Sequence, residues 1–298
     1  MPLTVTRDVL LSERTTLKLG GPALAEAVVT CAEGLDELAV LLPGLGGRPF
    51  ALGAGSNLLA GDGPHALVLV RAAGDTARGN APQIKVRADG TPLVRADAGL
   101  GLPRLLGLCQ RAGLTGLEGL TGIPGRVGGA LAMNAGSYGV EFGRRLTRVR
   151  LWTPEGGLMW REARGCSLGY RHFDPGLNTD FWLIWQVELA LDLDEPAAIR
   201  SRMQATYLKK KASQPVTAKS AGCVFKNPQG QSAGKLLDEA GLRGKRLGNM
   251  AFSPMHANFL VNEGHGTAAQ ALELLDLGRQ AVAARFGVTL ETEVKVLQ

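Results

Sequence analysis

The sequence predicts an α+β fold divided into three units, on three observations. Short apolar stretches with the composition of strands stand between longer ones whose apolar residues recur at helical spacing. The pattern shifts near residue 72 and again near Asp192-Leu-Asp-Glu195-Pro196, which sets the units at 1–71, 72–194 and 195–298. Glycine also falls at every third position from Gly113 to Gly128, inside a run that continues to Gly139. A chain of 298 residues is long for one core, in keeping with several units.

In chain order, Glu26 to Cys31 reads as a strand and Leu35 to Leu42 as a helix that Pro43 and Gly44 end. Pro49 to Leu52 is a second strand and runs straight into Gly53-Ala54-Gly55-Ser56-Asn57; Leu67 to Val70 is a third. Strand, helix, strand and glycine loop make a βαβ arrangement with a turn suited to phosphates. Gln83 to Arg87 and Leu93 to Ala98 begin a new sheet, Leu102 to Ala112 is helical, and Val149 to Trp152 and Trp182 to Leu189 are further strands. Ala197 to Lys211 reads as a helix whose basic end suits the negative pole of its dipole. Helices at Gly234 to Ala240 and Ala268 to Phe286 follow. In the last, Ala268, Ala271, Leu275, Val282 and Phe286 share one face and belong to a core.

The glycine period invites a collagen reading, which fails because collagen needs many proline-rich triplets. Here Leu114, Leu117, Leu120, Ile123 and Val127 fill the gaps. A flexible linker would be polar. The segment therefore reads as an irregular packed wall whose amides face a ligand.

Composition excludes several function classes. Hydrophobic content of 45% with 20% charge is ordinary for a folded soluble protein. The first residues lack a signal-peptide pattern and no stretch approaches the roughly 20 apolar residues of a membrane span. A cytoplasmic protein with no membrane association is expected. Cys31, Cys109, Cys166 and Cys223 form no C-x-x-C pair, and His65, His172, His256 and His265 show no ligand spacing, so no metal is expected. A net charge of +6 suits an anionic partner or mere solubility. Scattered basic residues and few aromatics disfavour nucleic acid.

Four segments could carry chemistry, and each has a plainer reading. The Gly53 to Asn57 loop is either a diphosphate nest or a tight turn, and it lacks the third glycine of a Rossmann fingerprint. Gly230-Gln-Ser232-Ala-Gly234 matches a nucleophile elbow, but Asn227-Pro228 interrupts the strand that the motif needs. Ser232 is therefore expected to be a helix N-cap. Cys223, ahead of a short apolar strand, is a small buried hydrophobe or part of a polar pocket with Lys219, Lys226 and Asn227. Glu291 and Glu293 share a face of an extended segment, as a site or as a surface patch.

Together these residues closely resemble the UDP-N-acetylenolpyruvoylglucosamine reductase family. The likeness runs from Thr15-Thr-Leu17-Lys-Leu-Gly20-Gly21-Pro-Ala23 through both glycine segments to Ser253-Pro-Met-His256-Ala-Asn258-Phe-Leu-Val-Asn262. The resemblance implies a two-subdomain FAD-binding fold of the PCMH type over 1–71 and 72–194, and a C-terminal α+β substrate-binding domain over 195–298. The final strand either stays with that domain or returns to the flavin domain. Gly53, Ala54, Gly55, Ser56 and Asn57, with Gly122, Ile123, Pro124, Gly128, Gly129 and Ala130, match its FAD-binding segments. No histidine stands in the first loop, so FAD is expected to be non-covalent.

The resemblance also implies the chemistry: NADPH reduces FAD and leaves, and the enolpyruvyl group of UDP-N-acetylglucosamine enolpyruvate is then reduced to give UDP-N-acetylmuramate. Arg171 matches the arginine that meets the developing carboxylate charge, and Glu293 the catalytic carboxylate. Cys223 stands at the general-acid position, where many members have serine. Tyr138 and Asn227 match substrate positions. Ser213 occupies a spot that is often basic in relatives, and one of Lys209, Lys210 or Lys211 is the candidate to replace that charge. The short interval from Arg171 to Leu191 points to the form without the tyrosine loop. A different flavoprotein on this scaffold, or a regulatory module without turnover, would not need the set of Arg171, Cys223 and Glu293.

Overall fold

In the computed structural model, which describes residues 1–74 and 82–298, Leu114, Leu117, Leu120 and Val127 are buried, and Ile123 packs on the same core. The glycine run is thus a packed wall. Its period has a steric origin: Gly113, Gly116, Gly122 and Gly125 all take positive φ. At Gly119 a Cβ would stand 2.5 Å from the Ser137 carbonyl oxygen.

Contacts group the chain into two units. Unit one comprises Met1–Arg7, Leu24–Gly53 and Ala66–Leu208; unit two comprises Asp8–Ala23, Ala54–His65 and Lys209–Gln298. The sequence cuts near 72 and 194 both fall within Ala66–Leu208, because unit two collects three stretches that are distant in the chain.

A four-stranded sheet, mostly in unit one, runs in the order Leu3–Leu10, Pro22–Val29, His65–Ala72, Arg48–Ala51. Arg48–Ala51 lies parallel to His65–Ala72, with Arg48 opposite Leu67 and Ala51 opposite Val70. The helix Glu33–Leu41 buries Leu35 and Leu38. A five-stranded antiparallel sheet has the order Gly157–Glu162, Leu146–Thr153, Leu183–Ala190, Pro92–Asp97, Gln83–Val86. Val94, Ala96, Val149 and Val187 share a core with Leu105 of the helix Leu102–Arg111 and with Val127 and Leu131 of the helix Val127–Ala132. A second core joins Leu3, Ala25, Leu35 and Val68 to Trp152, Phe181 and Trp185. Trp152 and Phe181 meet edge to face with centroids 6.3 Å apart. Truncating so large a buried ring costs about 3–5 kcal/mol.

Unit two holds a four-stranded sheet in the order Ser220–Cys223, Phe259–Asn262, Met250–Phe252, Arg246–Leu247, with the helices Ala233–Glu239 and Ala268–Phe286. The second helix starts in a capping box: Thr267 Oγ1 accepts the Gln270 N–H, and the Gln270 side chain accepts that of Thr267. Its predicted stripe lies in the core, with Ala268, Ala271, Leu275 and Val282 buried and Phe286 packed against them. The strand Lys295–Leu297 pairs in parallel with Leu58–Ala60, within the same unit.

Glu118 braces the glycine wall. Its carboxylate accepts from Thr115 Oγ1 at 2.6 Å, from the Gly116 N–H at 2.7 Å and from Arg202 Nη2 at 2.8 Å. Burial pushes this carboxyl up, but the hydrogen bonds of Thr115, Arg202 and the backbone outweigh it and hold it down at about 2. A depressed folded value stabilises the fold above the ordinary carboxylate range and is lost as pH falls through the folded value. Urea melts should therefore show the native protein losing stability between pH 4.5 and about 2, while Glu118→Gln is less stable by about 2 kcal/mol at pH 7 and flatter across that window.

Candidate functional site

In unit one, two short hairpins carry the predicted residues Arg171 and Tyr138. Ser167–Gly169 pairs with His172–Asp174, and Gly169 faces His172, so Tyr170 and Arg171 form a two-residue turn. Gly136–Ser137 pairs with Val140–Glu141, which leaves Tyr138 and Gly139 as the second turn. Such tight turns match the strand twist when their central residues take positive φ. Tyr138 (φ +48°) and Gly139 (φ +79°) both do so; in the other turn Arg171 alone takes positive φ (+55°). That conformation costs on the order of 1 kcal/mol and recurs at functional sites.

The two hairpins touch. A Cβ on Gly136 would lie 3.2 Å from Arg171 Nη1, so the bare backbone of one hairpin is the plate against which the guanidinium of the other rests. The Arg171 guanidinium also stands 5.1 Å from the centre of the Tyr170 ring, a cation–π contact. Between the hairpins lies Asn134, 3% exposed, whose side chain donates to the Gly169 carbonyl at 2.8 Å and accepts the Gly143 N–H at 2.8 Å. Sequence reading missed Asn134; its signal was an asparagine directly before the Ala-Gly step of the second hairpin. Tyr138 itself is 52% exposed.

Of the segments of unit one expected to bind flavin, Gly53 and Gly129 present bare backbone to open space. A Cβ at Gly129 would meet no atom within 4 Å, and one at Gly53 only the Gly129 Cα at 4.0 Å. These backbones leave room that any side chain would occupy, which fits a flat cofactor lying close. Gly128 differs: its N–H is bonded to the Ala98 carbonyl and a Cβ would press on Ala98 at 2.8 Å, so it seats the helix Val127–Ala132. Ala130 is buried, and Gly122 and Pro124 are exposed.

In unit two, Gly55 (φ +63°) brings the loop to 2.1 Å from the Arg14 carbonyl, measured from where a Cβ would be. Its own carbonyl accepts the Thr16 N–H. Asn57 is the hinge pin of the C-terminal segment. Its side chain donates to the Glu293 carbonyl at 3.1 Å and its carbonyl accepts the Lys295 N–H at 3.1 Å.

Cys223 ends the strand Ser220–Cys223, so the strand precedes it where the sequence suggested one after it. Ser220 faces Val261 and Cys223 faces Phe259, which leaves one extra residue at Gly222 (φ +79°). Such a bulge re-aims the side chain that follows. The next residues are clamped: Asn258 Oδ1 accepts the Phe225 N–H at 2.9 Å and Nδ2 donates to the Phe225 carbonyl at 2.8 Å. The Val224 carbonyl accepts the Glu293 N–H at 2.8 Å, which places the Glu293 backbone beside the Cys223 strand end. The two carboxylates differ: Glu291 is exposed and paired with Lys226, whereas Glu293 is half-buried.

Asn227 accepts the Ala233 N–H at 3.0 Å, and Ser232 Oγ accepts that of Lys235, so Ser232 is the N-cap that its position predicts. Of the three lysines, Lys209 and Lys211 are exposed and Lys210 is buried. Burial lowers the Lys210 ammonium to about 8. Ser213 donates to the Lys209 carbonyl in its own helix. The Cys109 thiol, also buried, is pushed up to about 12 and stays protonated at neutral pH. Among the described residues no helix is long and apolar enough to cross a membrane, and no cluster of His, Cys, Asp or Glu could hold a metal. A cavity of about 440 Å³ in unit two is lined by Glu13, Lys18, Lys219, Asn262 and His265 among others; Lys219 lines it, and Cys223, Lys226 and Asn227 do not.

Comparison with known proteins matches residues 46–161 to a family described as FAD binding domain. Residues 214–297 match the UDP-N-acetylenolpyruvoylglucosamine reductase C-terminal domain. The UDP-N-acetylenolpyruvoylglucosamine reductase of Nitratidesulfovibrio vulgaris is 50% identical over 296 residues, covering 99% of both chains. That of Oleidesulfovibrio alaskensis is 46% identical over 290 residues, 96% of both. The crystal structure of the Thermus caldophilus reductase superposes with a TM-score of 0.82 at 36% identity, covering 99% of this chain and 100% of that one. The fold is thus an FAD-binding domain joined to the reductase C-terminal domain. Because Gly129 faces open space, Gly129→Leu should leave the thermal midpoint of the apoprotein within a few degrees while weakening FAD binding at least tenfold, read by flavin fluorescence titration.

Proposed function

The chain belongs to the UDP-N-acetylenolpyruvoylglucosamine reductase family, and we propose that Arg171, Cys223 and Glu293 carry out its chemistry. The protein is an FAD-dependent oxidoreductase of peptidoglycan synthesis: it reduces the enolpyruvyl group of UDP-N-acetylglucosamine enolpyruvate with NADPH, giving UDP-N-acetylmuramate. We place it in the cytoplasm. In the division of labour proposed here, 1–71 and 72–194 hold FAD and 195–298 binds the sugar nucleotide, supported by the family matches at 46–161 and 214–297.

Bound FAD would supply the hydride chemistry that links NADPH to the alkene, held by the segments around Gly53–Asn57 and Gly122–Ala130. The glycine backbones at Gly53 and Gly129 keep side chains out of its place. Reduction of the alkene builds negative charge toward the substrate carboxylate, and the fixed fork of Arg171 meets that charge without reorganising. The strained turn, the Gly136 plate and the Tyr170 ring hold the fork in one orientation before substrate arrives. Cys223 Sγ delivers a proton to the α-carbon, and the resulting thiolate regains one from solvent. Glu293, anchored by Asn57 and the Val224 carbonyl, polarises the intermediate. Tyr138 and Asn227 contact substrate, and a lysine from Lys209 to Lys211 offsets the diphosphate charge that Ser213 leaves unmatched.

The bulge at Gly222 is the observation that carries the Cys223 assignment, since it turns the end of an otherwise regular strand. Stopped-flow separation of the half-reactions tests it. Cys223→Ala should reduce FAD with NADPH at the native rate but slow reoxidation by the enolpyruvyl substrate by about 10²-fold, while Cys223→Ser stays within roughly tenfold of native. Full turnover in the alanine variant overturns the general-acid role. Arg171→Lys loses the fork and should slow the same half-reaction by about 10²-fold.

A further inference from the structure

We infer that Asn134 is the positioning residue of the Arg171 turn, the buried amide that fixes where the guanidinium points. The inference rests on the reading of Arg171 as the group that meets the substrate carboxylate. The hairpin Ser167–Asp174 has three residue pairs, and a hairpin so short does not hold itself in water. Its orientation must come from outside. One side-chain anchor at its turn is the Asn134 amide, which donates to the Gly169 carbonyl, two residues before Arg171.

The other end of the same side chain accepts the Gly143 N–H, which ties that anchor to the 142–145 turn. Gly143 in turn packs on Leu168 of the Arg171 hairpin, where a Cβ would stand 2.6 Å from Leu168 Cδ2. The backbone of Asn134 adds a third tie, donating to the Leu131 carbonyl at 2.8 Å, and Gly136 two residues on is the plate under Arg171 Nη1. One residue thus sets both the turn that carries the arginine and the surface on which it rests.

Asparagine suits this place for two reasons. It tolerates the left-handed backbone observed here (φ +38°), and its amide offers a donor and an acceptor at opposite corners. Aspartate keeps the shape, the backbone preference and the acceptor for Gly143, but sets an oxygen against the Gly169 carbonyl. When protonated, that carboxyl regains a donor.

The test compares Asn134→Asp, Asn134→Gly and Arg171→Ala in the FAD-loaded enzyme. At pH 8, Asn134→Asp should reduce FAD with NADPH at the native rate yet be reoxidised by the enolpyruvyl substrate at least tenfold more slowly. Hydrogen exchange should be faster in residues 167–174. Asn134→Gly, which keeps the backbone conformation and lacks both bonds, should show the same two changes with the NADPH half-reaction again native. Native reoxidation and native exchange in the aspartate variant, or slowing of its NADPH half-reaction to the same degree, overturns the proposal. Arg171→Ala separates the two readings: if it alone reoxidises normally, the role of Arg171 fails, and if it is slow while both Asn134 variants are native, the positioning role fails.

Discussion

Irregular main chain can be buried only if its N–H and C=O groups find partners, and this requirement governs both halves of the molecule. The loops that carry the proposed site belong to neither helix nor long strand, so regular ladders do not satisfy them. Asparagine side chains do that work. Asn258 closes on both polar groups of Phe225, Asn262 donates to the Leu17 carbonyl and accepts from Gly264 and Gly266, and Asn57 reaches the Glu293 carbonyl. An amide can serve as donor and acceptor at once and carries no charge to desolvate, which a carboxylate or ammonium in the same place would. Glu118 is the exception, and it is buried with a guanidinium and two further donors around it.

Much of the fold was legible because its signals are periodic. The helix Ala268–Phe286 was readable to the residue, since its apolar stripe begins after a threonine cap and stops at Gly287. The strands at 48–51, 65–72, 92–97 and 183–190 showed as apolar runs. The strand Leu3–Leu10 left little pattern, because only Leu3 and Val9 of its side chains are buried. The hairpins around Tyr138 and Arg171 left little: strands of two or three residues are too short for alternation, and the Tyr170-Arg171 turn holds neither glycine nor asparagine.

The sequence offered the proposed site as residue identities and not as geometry. The resemblance named Arg171, Cys223 and Glu293, but not the contacts that hold each in place. Gly222 takes a positive φ at a bulge directly before the thiol. Gly128 and Gly129 looked equivalent, yet one is filled by Ala98 and the other faces open space. Glu291 and Glu293 looked like a pair on one face, and the structure gives the first to Lys226. Such distinctions depend on tertiary neighbours, which spacing along the chain does not encode.

The parallel pairing of Leu58–Ala60 with Lys295–Leu297 has a consequence for biosynthesis. A ribosome adds about 5–20 residues per second, so roughly 10–50 s pass between emergence of the first of these strands and of its partner. During that interval the strand Leu58–Ala60 and the stretch Asp8–Ala23 are outside the tunnel with their unit incomplete. Unit one, whose last segment finishes at Leu208, has all its parts much earlier. The order of synthesis therefore assembles unit one first and leaves three apolar residues of unit two, Leu58, Leu59 and Ala60, waiting uncovered, a natural point of contact for a chaperone and of risk for aggregation in the newborn chain.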